Sequence, residues 1–132
     1  MSEEVGNYTY AFLGTNISSR LDQNVFRLCK NLSSVTLNSN ISSFGSEIFY
    51  GSGIRHITIP DGVTTIPSLA FAGCYALKSV SIPDSVISIG TSAFMNCYNL
   101  TDVELPPNIT RIQTSLFKNC RSLTSINFPG NI

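Results

Sequence analysis

The chain has 132 residues, of which 42% are apolar and 12% charged, and its formal net charge is zero. That length allows one domain or one continuous array with its own core. The scattered single charges leave no basic stripe to hold phosphates, so nucleic acid is excluded as an expected partner, and no apolar run reaches membrane-spanning length.

The N-terminal residues Met1-Ser2-Glu3-Glu4-Val5-Gly6-Asn7 are acidic and polar, unlike a secretory signal, so the chain reads as soluble and not classically exported. Tyr8–Leu13 has the makings of a first strand, with Ile17 and Leu21 behind it, and Val25-Phe26-Arg27-Leu28-Cys29 closes that first unit. Its spacing is looser than that of the later units, as suits a terminal cap. Residues 1–31 are therefore read as a cap with a degenerate repeat, and residues 32–132 as one continuous run of regular repeats.

From Leu32 onward the chain repeats itself. Leu32, Ile54, Leu77, Leu100 and Leu123 open successive units at spacings of 22, 23, 23 and 23. Each starts an alternating stretch such as Leu77-Lys-Ser-Val80-Ser-Ile82, the pattern of a strand with one buried face. Pro60, Pro83, Pro106 and Pro129 end these strands because proline supplies no ladder donor. A second apolar pair follows (Val63/Ile66, Val86/Ile89, Ile109/Ile112) and predicts a shorter second strand.

Each unit closes on an aromatic phrase: Ala70-Phe71-Ala72-Gly73-Cys74, Ala93-Phe94-Met95-Asn96-Cys97 and Leu116-Phe117-Lys118-Asn119-Cys120. These phrases turn the chain back and are too short for more than a single helical or 3-10 turn. At Phe49-Tyr50-Gly51-Ser52-Gly53 the unit is one residue short, and Ser52 takes the cysteine position. No unit of 22–23 residues buries both apolar edges alone, so the units must stack, Phe on Phe and Cys on Cys.

Phrases such as Leu77-Lys-Ser-Val-Ser-Ile-Pro83 with Ala93-Phe94-Met-Asn-Cys97 resemble the BspA-like leucine-rich repeats, strongly over residues 32–132 and weakly over 8–31. The resemblance implies a leucine-rich-repeat solenoid: mainly parallel β-strands, short helical or 3-10 turns, and a right-handed superhelix of about five repeats. It also implies surface proteins linked to adhesion and host-protein binding, with no catalytic residues and no cofactor. The expected partner is a protein of unknown identity.

The residues themselves supply candidate sites. Cys29, Cys74, Cys97 and Cys120 recur one per unit beside buried aromatics, which places them as buried free thiols; metal sites need converging pairs, and Ser52 shows that pairing is dispensable in that position. His56, the only histidine, has no motif-placed nucleophile or carboxylate beside it and reads as a surface residue. The outward strand positions form ladders in which Arg55 and Lys78 give way to Asp102 and Glu104, with Tyr10 and Phe12 as exposed aromatics. Tyr10, Phe12, Arg55, His56, Lys78, Asp102 and Glu104 make up the candidate ligand-binding face.

Six Asn-x-Ser/Thr sequons begin at Asn7, Asn16, Asn31, Asn40, Asn99 and Asn108, and they matter only on an exported chain. The last stretch, Leu123–Pro129, predicts an open sheet edge that invites pairing with a second copy. Adhesion or ligand binding at a cell surface is the first functional expectation; an intracellular assembly protein that self-associates through that edge is the second.

Overall fold

The computed structural model describes residues 19–130 and 132, together with the backbone of residues 10–12. The strands in chain order are β1 (Tyr10–Phe12), β2 (Arg20–Leu21), β3 (Ser34–Thr36), β4 (Ser43–Phe44), β5 (His56–Thr58), β6 (Thr65–Ile66), β7 (Ser79–Ser81), β8 (Ser88–Ile89) and β9 (Asp102–Val103). Odd-numbered strands stack into one parallel five-stranded sheet in the order β1-β3-β5-β7-β9. Even-numbered strands pair in parallel along a second edge, β2 with β4 and β6 with β8. Every strand thus bonds to its counterpart one coil away, which is the topology of a solenoid.

Register follows the repeat. Tyr10 opposes Ser34, Ser34 opposes His56, His56 opposes Ser79, and Ser79 opposes Asp102. Inward positions run Val35, Ile57, Val80 and Val103, all buried. The alternation of Ser and Thr with Val and Ile therefore puts hydroxyls outside and branched aliphatics inside on each strand.

The aromatic phrases stack as one column. Phe26, Phe49, Phe71, Phe94 and Phe117 lie with successive ring centroids 5.2, 5.4, 5.3 and 5.8 Å apart and their planes within 11° of parallel. Leu21, Phe26 and Cys29 share this core with the later coils.

Two details differ from the sequence reading. The phrases do turn the chain back, but without a helix among the described residues. Phe71 N–H donates to Ala93 O and Gly73 N–H to Met95 O in the next coil, while Ala72 and Cys74 donate back to Leu69 and Phe71. Alternate donors leave the chain, so no consecutive i→i+3 run can form. Leu69 and Gly73 sit at φ of 59° and 71°, and the same two positions recur in the neighbouring coils at Glu47/Gly51 and Ser92/Asn96. Left-handed residues every fourth position accompany this turning of alternate donors toward the next coil.

The fifth alternating stretch, from Leu123, lies outside the sheet, which ends at β9. Leu123 and Ile126 are half-buried and Phe128 is exposed. Likewise the pair Ile109/Ile112 forms no strand. Neither segment has a ladder partner among the described residues.

Candidate functional site

The outward sheet face is built by the strands' polar alternation, and it is not uniform. Strands β5 and β7 pair over three residues, whereas β3 and β5 share the single pair Ser34–His56. The one-residue deficit at Gly51-Ser52-Gly53 comes just before β5, and the sheet opens there. A shallow groove of about 580 Å³ results, with Ser34, Thr36, Arg55, His56, Thr58 and Asp61 on its walls.

His56 bridges the face. Its Nδ1 lies 2.6 Å from Ser79 Oγ and its Nε2 3.3 Å from Thr58 Oγ1. Both ring nitrogens therefore meet hydroxyls. A serine–imidazole contact is the first half of a nucleophile–base pair, but the second nitrogen meets no carboxylate that would orient the ring and stabilise its charged form.

The acidic end is a separate feature. Asp102 and Glu104 line a cleft of about 330 Å³ together with Asp84. Glu104 and Asp84 continue into a second depression of about 440 Å³ beside Asn127 and Phe128. Lys78 is exposed between the two regions and lines neither. The fold thus places Arg55 and His56 with Asp61 in one groove, and Asp84, Asp102 and Glu104 in another along the same face. The two salt bridges among the described residues, Arg20–Asp22 and Arg27–Glu47, lie elsewhere. Tyr10 and Phe12 pair through their backbones with Ser34 and Thr36; their side chains lie outside the described residues.

Asp61 and Asp84 line these grooves, although the sequence reading does not count them in the candidate face. Each follows the proline that ends a strand and reads as turn chemistry, yet the turn returns it to the rim of the sheet. Their separation of one repeat was the available signal.

The cysteines carry a structural geometry. Cys74, Cys97 and Cys120 donate their thiols to the carbonyls of Phe49, Phe71 and Phe94 at 3.0, 3.1 and 3.0 Å. All four cysteines are free. Burial pushes the Cys74 thiol up to about 12 and raises Cys29, Cys97 and Cys120 as well, with the neighbouring thiols adding to the shift at Cys97. A raised pKa means less thiolate at neutral pH, hence weak nucleophiles and weak metal ligands. Among the described residues no three His, Cys, Asp or Glu side chains converge to hold a metal ion, and no helix is long and apolar enough to cross a membrane.

Residues 19–132 match the BspA type leucine rich repeat region in six copies. The chain belongs to the BspA-type leucine-rich repeat family. The solved structures it resembles are bacterial leucine-rich repeat proteins. One, from T. pallidum, superposes with a TM-score of 0.85 at 29% identity, covering 92% of this chain and 59% of the other. Another, from Bacteroides ovatus, gives 0.78 at 27% identity, covering 94% of this chain and 38% of that one. A third, described as a leucine rich cell surface protein from Faecalibacterium prausnitzii, gives 0.51 at 26%, covering 93% and 48%. The chain therefore spans less than two thirds of each of these structures. No functionally curated protein matches it.

Proposed function

We propose that this BspA-type repeat chain is a non-enzymatic protein-binding module that engages a ligand protein at a cell surface through its outward strand face. The observation that carries the reading is the change of charge from coil to coil along that face: Arg55 with Asp61 at the rim in one coil, Lys78 with Asp84 in the next, and Asp102 with Glu104 in the third. Opposite charges with no ion pair among the described residues suit a partner with the reverse pattern, because complementary fields orient the encounter and reject mismatched partners. The description of the F. prausnitzii structure as a cell surface protein supports the location. A protein ligand is favoured over a small molecule because the grooves are shallow and strung along several coils.

The test is capture of ligand proteins from host-cell surface extracts with the wild-type chain beside a variant carrying R55E, K78E, D102K and E104K. Thermal melts first establish that both fold. Loss of the captured band with the variant supports the reading. Equal recovery excludes the charged face.

A second reading, assembly through the last coil, is favoured by the exposed Phe128 and the half-buried Phe117, Leu123 and Ile126 beside it. This reading assigns a second copy as the occupant of that surface. Light scattering at rising concentration decides: a mass that stays at one chain removes this reading.

A further inference from the structure

One residue after each cysteine position, the successive coils carry Lys30, Gly53, Tyr75, Tyr98 and Arg121 along the turn edge. The Tyr75 and Tyr98 rings stack with centroids 4.9 Å apart and planes 4° from parallel. The Arg121 guanidinium lies over the Tyr98 ring, 4.5 Å from its centroid. Flat groups thus follow one another coil by coil until Gly53, where the row is broken. Lys30 lies on the far side of the break.

The break is built in. The short coil draws Gly53 so close to its neighbour that a Cβ there would collide with the carbonyl oxygen of Lys30. Position 53 itself therefore cannot carry a side chain. Instead there is an open groove of about 450 Å³, walled by Leu28, Lys30, Tyr50 and Tyr75, with a floor of small residues such as Gly51 and Ala72. It shares no residue with the strand-face groove. Tyr75 is 55% exposed although Tyr98 covers one of its faces. Lys30 is exposed and has no ion pair among the described residues.

We propose that this gap is a docking slot for one aromatic side chain of a partner protein, carried next to an acidic residue. Lys30 and Tyr75 stand two coils apart, about 9–10 Å at the spacing of stacked strands, which is room for a single ring between them. A ring at the Gly53 level would repeat the spacing already set by Tyr75 and Tyr98, in the offset-parallel arrangement that aromatic pairs favour. The Lys30 ammonium would meet that ring's other face or the carboxylate beside it. An aliphatic side chain fills the space but gains neither contact, and a basic flank is repelled by Lys30. The slot is independent of the strand face and is occupied by a single side chain, so its affinity alone is low and it adds to a larger interface.

The chain contains no tryptophan, so the fluorescence of a tryptophan peptide reports binding directly. The probes are the capped tripeptides Glu-Trp-Glu and Lys-Trp-Lys, titrated with the folded chain and with the variants Y75A, Y98A and K30E. The acidic peptide should bind saturably to the wild type and about tenfold more weakly to Y75A, a change of about 1.4 kcal/mol. Y98A, which keeps the ring that faces the slot, should lose about threefold or less. K30E should reverse the preference in favour of the basic peptide. The strand-face charge-reversal variant should bind like the wild type, which separates this slot from the proposed ligand face. Equal affinity for Y75A and wild type, equal losses in Y75A and Y98A, no reversal in K30E, or no saturable response would each overturn the slot.

Discussion

The thiol of Cys74 donates to the carbonyl oxygen of Phe49, 25 positions earlier, at 3.0 Å. That contact ties the two most regular columns of the protein, the cysteines and the phenylalanines, into one hydrogen-bonded core. It also explains the exception. Ser52 Oγ lies 3.6 Å from Cys74 Sγ, so a hydroxyl continues the column where the thiol is missing. The cysteines, which the sequence places as buried free thiols, act here as small donors, buried at Cys74 and Cys97 and half-buried at Cys120.

Alkaline stability follows from that burial. An unfolded thiol ionises near its ordinary value of 9, whereas folded Cys74 holds its proton to about 12. Its contribution to stability is therefore complete below pH 9 and is lost as pH rises toward 12, where the unfolded chain sheds a proton that the folded chain keeps. Urea midpoints measured from pH 8 to 11 should fall with pH, and the fall should be shallower in C74S. An identical slope in the variant would show that Cys74 is not the group responsible.

The phenylalanine column makes a sharper demand. Phe71 is fully buried between Phe49 and Phe94, at 5.4 and 5.3 Å. Phe71→Ala should cost about 3–5 kcal/mol by emptying the centre of the stack. Phe117→Ala, at the half-buried end of the column, should cost less than half of that. Chemical denaturation of the two variants compares them.

Two glycines should fail for different reasons. Gly73 sits at φ 71°, and a methyl group added there would find its nearest non-adjacent atom 3.7 Å away. Gly73→Ala therefore has room and suffers only from the left-handed backbone, about 1–2 kcal/mol. Gly53→Ala drives a methyl into the Lys30 carbonyl and should cost about 3 kcal/mol. Melting temperatures should rank wild type above G73A and G73A above G53A.

The Ser79–His56 contact invites a chemical test. Because His56 Nε2 meets Thr58 and not a carboxylate, Ser79 should not be an activated nucleophile. A fluorophosphonate probe should leave Ser79 unlabelled by mass spectrometry after overnight exposure. Stoichiometric labelling that vanishes in H56A would make the pair an active dyad.

The parts of the fold that depend on side-chain spacing were legible in the sequence. The inward Val35, Ile57, Val80 and Val103 and the outward Ser34, His56, Ser79 and Asp102 follow from period-two alternation inside a longer repeat. What depends on backbone bonding between coils was not. Nothing local in Glu47 or Leu69 favours a left-handed conformation; the carbonyls of the next coil impose it, since Glu47 N–H donates to Ser68 O and Leu69 N–H to Thr91 O. The candidate face was half legible for a related reason. Strand residues such as Arg55 and Asp102 fall on it by register, but Asp61 and Asp84 reach it through turns, where the alternation that orients strand residues does not apply.

The most direct measurement places a photo-crosslinking residue at Ser81, exposed on β7 of the outward face, or at Ser88, exposed on β8 of the second edge. Each chain is irradiated against intact host cells. Ligand binding through the strand face predicts a crosslinked protein band from the Ser81 position and none from Ser88. Bands of equal yield from both positions, or a band from Ser88 alone, would contradict it.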